Sequence, residues 1–125
     1  MLVLDAIYKA EASSSLLVIS NTIYRTMWRS EGNSIRDYVH MTCKYLGLAI
    51  DGILDGSSDN YTKTRNSLDS AIESIESCMK YCSDLDQMVD YEGTKMDVRE
   101  FLGKHMYGII KAFYNSYIEY TDKHA

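Results

Sequence analysis

An all-α fold, an antiparallel up-down-up-down four-helix bundle, is what this sequence predicts, and three observations carry it. The 125 residues include no proline, so the side chain that most strongly interrupts helical hydrogen bonding is missing. Glycine-containing breaks fall at residues 30–33, 55–58 and 90–94, dividing the chain into four segments of similar length. Within each segment apolar residues recur at threes and fours, which places them on one face of a helix.

The first helix is expected over about residues 3–29, where Ala12, Leu16, Ile19, Ile23 and Met27 form the inward stripe. The second, about 34–54, has Ile35, Val39, Thr42, Leu46, Ala49 and Ile53. The third, about 59–89, runs from Tyr61 through Leu68, Ile75, Cys78 and Cys82 to Leu85 and Val89, with Ser58 or Asp59 as its cap. The fourth, about 95–121, opens on Thr94 and Asp97, which resemble a capping box. Its core stripe is Val98, Leu102, His105, Ile109 and Ala112. Rods of roughly 30 to 40 Å joined by short loops pack as sequence neighbours into one domain spanning residues 1–125.

The fourth helix is apolar over a wider arc than one seam needs. Met106, Ile110, Tyr114 and Tyr117 lie beside the core stripe. Either they pack on a second neighbour within the chain, or they form a homo-oligomer interface, where aromatic residues are enriched.

A net charge of −5 gives no general attraction for nucleic acid or an anionic membrane, so any such contact is local. Between residues 51 and 92 acids outnumber bases ten to three, which makes the third helix an acidic wall: a solvated face, a docking surface for a basic partner, or a decoy resembling nucleic acid. The bundle order gathers Arg25, Trp28, Arg29, Arg36 and Lys95 at one end, with His40 and Arg99 nearby. Those cations either pair with Asp37, Asp86, Asp90, Glu92 and Asp97 or hold phosphate oxygens, with the indole stacking on a base.

Cys43, Cys78 and Cys82 are an odd number of thiols, which suits a reducing cytoplasm. The apolar run from Leu16 to Ile19 is too short for a signal or a membrane span. Cys78 and Cys82 lie one turn apart on a core stripe and read as small hydrophobes, so no metal site is expected. The chain has no phosphate-binding glycine loop and no nucleophile elbow, and no cofactor is expected.

One set of residues carries a catalytic alternative. Arg99, Glu100, His105 and Tyr107 fit a spacing that resembles that of the HEPN ribonucleases. There the histidine would move the proton of a ribose hydroxyl and the arginine would stabilise the phosphate charge. Six steps of ~100° leave Arg99 and His105 roughly 120° apart on a regular helix, and His105 falls on the predicted core stripe.

Ser34-Ile35-Arg36, Gly47-Leu48-Ala49-Ile50-Asp51-Gly52 and Leu68-Asp69-Ser70-Ala71-Ile72-Glu73-Ser74-Ile75 resemble stretches of the four-helix-bundle family that includes the 23S rRNA intervening-sequence proteins and the accessory variability proteins of retroelements. The resemblance implies a bundle that assembles into a ring and serves a nucleic acid or reverse transcriptase without catalysis of its own. The retroelement proteins are basic, whereas this chain is acidic. The expected function is therefore a non-enzymatic accessory protein that self-associates and binds a protein or protein–RNA partner. The alternatives are a ribonuclease using Arg99 and His105, and a small acidic inhibitor of a nucleic-acid enzyme, of the kind phages make.

Overall fold

The structure, a computed structural model, describes residues 2–28 and 33–124. Helix α1 (Leu2–Met27) is followed by α2 (Asn33–Asp55), a 3-10 turn (Ser58–Asn60) and α3 (Tyr61–Cys82). Strands β1 (Met88–Tyr91) and β2 (Thr94–Asp97) come next. The chain then continues as α4 (Val98–Glu100), a π-helical segment (Phe101–Tyr107) and α5 (Gly108–His124). The all-α expectation holds for the body of the molecule, and a small two-stranded hairpin is added to it.

The first three helices bury the stripes that their spacing predicts. Leu16, Ile23 and Met27 of α1 meet Ile35, Val39 and Leu46 of α2 and Leu68 and Ile75 of α3 in one core cluster. Each such side chain contributes roughly 1.5–3 kcal/mol on leaving water. The Thr42 hydroxyl, inside the α2 stripe, donates to the Tyr38 carbonyl at 2.7 Å, so its burial leaves no unpaired donor. Helix α1 packs on α2, α2 on α3, and α3 on the π segment and α5. Tyr8 stacks on Tyr120 at 4.1 Å, joining α1 to α5. Among the described residues no helix is long and apolar enough to cross a membrane.

The third helix ends earlier than its spacing suggests, at Cys82 rather than near residue 89. Ser83, Asp84 and Asp86 follow, residues whose side chains compete with helical backbone bonds. Val89 is still buried, but as the inward residue of β1, between exposed Met88 and exposed Asp90. The strands pair antiparallel, Val89 with Met96 and Asp90 with Lys95. Glu92 and Gly93 connect them, both with positive φ (52° and 83°), as the tight mirror-image turn of two-residue hairpins demands. The Asp90 carboxylate accepts the Gly93 N–H at 3.0 Å and steadies that turn.

Two caps also differ from expectation. Ser57, not Ser58 or Asp59, caps the turn that opens α3, its hydroxyl accepting the Asp59 N–H at 3.3 Å. Thr94 belongs to β2 and makes no capping box; Asp97 alone caps α4 by accepting the Arg99 N–H at 2.8 Å.

In the fourth helical run the predicted stripe is buried at Val98 and Leu102 and departs from the core beyond them. Val98, Phe101, Leu102, Met106, Ile110 and Tyr117 are buried, while His105 is half-buried, Ala112 exposed and Ile109 44% exposed. The cause is the wide turn from Phe101 to Tyr107, in which the Gly108 N–H reaches the Gly103 carbonyl five residues back. A π turn holds more residues than an α turn, so steps of four from Leu102 through Met106 to Ile110 stay on the core side.

Candidate functional site

The end of α1 and the first turn of α2 form a groove of about 610 Å³ lined by Tyr24, Arg25, Trp28 and Arg36. Trp28 directly follows α1, and its N–H still donates to the Tyr24 carbonyl one turn back at 2.9 Å, so the two rings meet by helix-like geometry. They stack with centroids 4.9 Å apart and planes 18° from parallel. Arg25 lies next to Tyr24 on the exposed side, where its Nε donates to the Asn21 carbonyl at 3.4 Å. Arg36 comes from α2, one residue after buried Ile35. Among the described residues neither guanidinium has a carboxylate within ion-pair distance. Two positive charges thus flank a flat aromatic wall, and planar guanidiniums suit carboxylate or phosphate oxygens.

Three of the predicted anion-contact residues, Arg25, Trp28 and Arg36, are therefore brought together. Lys95 is not among the groove's lining residues; it lies in β2, opposite Asp90. Arg29 falls outside the described residues. Tyr24 was missed by the sequence reading, and its signal was its place one turn before Trp28.

The catalytic alternative meets a different geometry. Arg99 is held by Asp97, whose Oδ1 accepts Nε at 2.8 Å and whose Oδ2 accepts Nη2 at 2.7 Å. Its Nη1 also donates to the Ser83 carbonyl at 3.2 Å. The hydrogen bonds from Arg99 pull the Asp97 carboxyl down to about 2, and the same bond raises the guanidinium. His105 turns instead to the hairpin, stacking on Tyr91 at 5.0 Å, and Tyr107 is half-buried. Arg99 and His105 thus take separate partners.

Of the two readings of the second stripe, packing within the chain or a subunit interface, burial favours the first for Met106, Ile110 and Tyr117, which lie in the core of the single chain. Tyr114 is half-buried against that core. The wide apolar arc is explained by the π turn, which carries this second stripe inward.

A second hollow, about 470 Å³, lies between the end of α2 and the start of α3, with Asp51 and Asp55 of α2, Asn60 and Lys63 on its rim. Cys78 and Cys82 are buried; the hydrogen bond between them and burial raise the Cys78 thiol. Among the described residues no three His, Cys, Asp or Glu side chains are grouped to hold a metal. Comparison with known protein families, characterised proteins and solved structures finds no match to this chain.

Proposed function

We propose that this chain is a non-enzymatic interaction protein of the cytoplasm, an up-down-up-down helical bundle that self-associates and docks an anionic partner surface, protein or protein–RNA. The observation that carries this reading is the groove of Tyr24, Arg25, Trp28 and Arg36, with two guanidiniums unpaired among the described residues beside a stacked aromatic pair. Tryptophan, tyrosine and arginine are the residues that dominate binding energy at interfaces. Here they converge, while the residues of the catalytic alternative have other partners: Arg99 has Asp97 and His105 has Tyr91. An accessory role of this kind is also what the resemblance to the intervening-sequence and retroelement bundles implies.

Trp28 is the single tryptophan beside eleven tyrosines, so fluorescence excited at the red edge, where only the indole absorbs, reports on this groove. Titration with poly-glutamate and with a single-stranded RNA homopolymer is expected to give a saturable change that weakens with added salt. Arg36→Ala should weaken it about tenfold, the scale of one lost charge-assisted hydrogen bond. A flat signal with both probes would overturn the reading.

A further inference from the structure

We infer that the partner of this groove is a second copy of the chain, docked antiparallel along α1 so that Glu11 of each copy meets Arg25 of the other. This rests on the reading that the groove's guanidiniums are docking groups, and it names what they dock.

Helix α1 has two faces. One is the buried stripe already described. The other carries Ala10, Ser14, Leu17, Asn21 and Tyr24, all exposed, and ends at half-buried Trp28. The steps along it are four, three, four, three and four, the spacing of a two-helix seam, sustained over about 27 Å. Leu17 is 52% exposed and Val18 beside it 62%. The helix thus keeps an exposed face, apolar at Ala10, Leu17 and Tyr24 and polar at Ser14 and Asn21, that only Trp28 at its end ties to the core of its own chain.

Side-chain size along the seam selects the direction of the second helix. The small residues, Ala10 and Ser14, lie in the N-terminal half, and the large ones, Tyr24 and Trp28, in the C-terminal half. A parallel pair sets large against large at one end and leaves a gap at the other, and voids cost dispersion contacts. An antiparallel pair sets Trp28 over Ala10, Tyr24 over Ser14 and Asn21 over Leu17 in successive layers.

Charge selects the same arrangement. Glu11, Val18 and Arg25 recur every seven residues along one edge of the seam, all exposed. The register that matches the sizes brings Glu11 to Arg25 of the second copy, twice by symmetry, and Val18 to its own counterpart near the two-fold axis. A parallel pair would set this edge against the opposite one, residues 13, 20 and 27, of which Ser13 and Met27 are buried in their own chain. Neither Glu11 nor Arg25 has an ion pair among the described residues.

The test is molecular mass by light scattering over a concentration series, for wild type, Glu11→Arg, Arg25→Glu and the double variant. Wild type is expected as a dimer. Each single reversal places two like-charge contacts in the seam and should raise the dissociation constant at least tenfold; the double variant should restore it. Both positions are exposed, and circular dichroism confirms that each variant is folded. A wild type that is monomeric at every concentration overturns the inference, as does a dimer indifferent to the reversals or one that the double variant fails to rescue. A monomer whose Trp28 still answers poly-glutamate sinks this inference together with the self-association, and leaves the groove as a docking site for an anionic partner standing. A rescued dimer with a flat Trp28 titration supports the inference and overturns the external partner.

Discussion

Asp97 grips Arg99 through both carboxylate oxygens, Oδ1 taking the backbone N–H and Nε at 2.8 Å each and Oδ2 taking Nη2 at 2.7 Å. One side chain thus caps α4 and anchors the arginine, which a phosphate-cleaving mechanism would need free. The groove between α1 and α2 has the opposite character, because Arg25 and Arg36 have no carboxylate partner among the described residues.

The Asp97–Arg99 bond makes stability depend on acid. The carboxyl is held down to about 2, against about 4 in an unfolded chain. Its contribution is therefore fully present above about pH 4 and is lost as pH falls towards 2. Asp97→Asn keeps a competent cap but loses the charge. It is expected to melt below wild type at neutral pH, with the gap closing between pH 4 and 2. Paired thermal melts across that range check it, and a gap that persists at the acid end would refute the account.

Gly52 and Gly47 lie on the same helix and should respond in opposite directions. A methyl group on Gly52 would run into the buried Thr64 side chain where α2 crosses α3, whereas nothing stands near a methyl on Gly47. Gly52→Ala is expected to cost about 1–3 kcal/mol through overpacking. Gly47→Ala should be neutral or stabilising by up to about 1 kcal/mol, since alanine loses less freedom in a helix. Urea unfolding of the two variants side by side measures both.

The π turn behaves as one extra residue held in a helix. Deleting exposed Lys104 should let it close to an ordinary turn with the residues beyond it still facing the core, so cooperative unfolding survives. Deleting equally exposed Lys111, inside α5, rotates everything downstream by ~100°. That would carry Tyr117 and Thr121, each 2% exposed, away from the core, and the melt should broaden or vanish. Equal outcomes for the two deletions would mean that the wide turn does not set the register.

The local pattern of residues determined the helices, because helical periodicity is a property of neighbours along the chain. The stripes from Ala12 to Met27 and from Ile35 to Ile53 are buried as their spacing requires. The convergence of Arg25, Trp28 and Arg36 was legible as well, since a short loop between two helices brings adjoining ends together. Tertiary structure alone decided the rest. Val89 suits a helical step from Leu85 as well as an alternating strand, and only pairing with Met96 chose between them. A strict α period puts His105 and Ile109 inward; the π turn puts Met106 and Ile110 there instead. A widened turn is stabilised by the packing of the residues beyond it, which no local count of threes and fours contains.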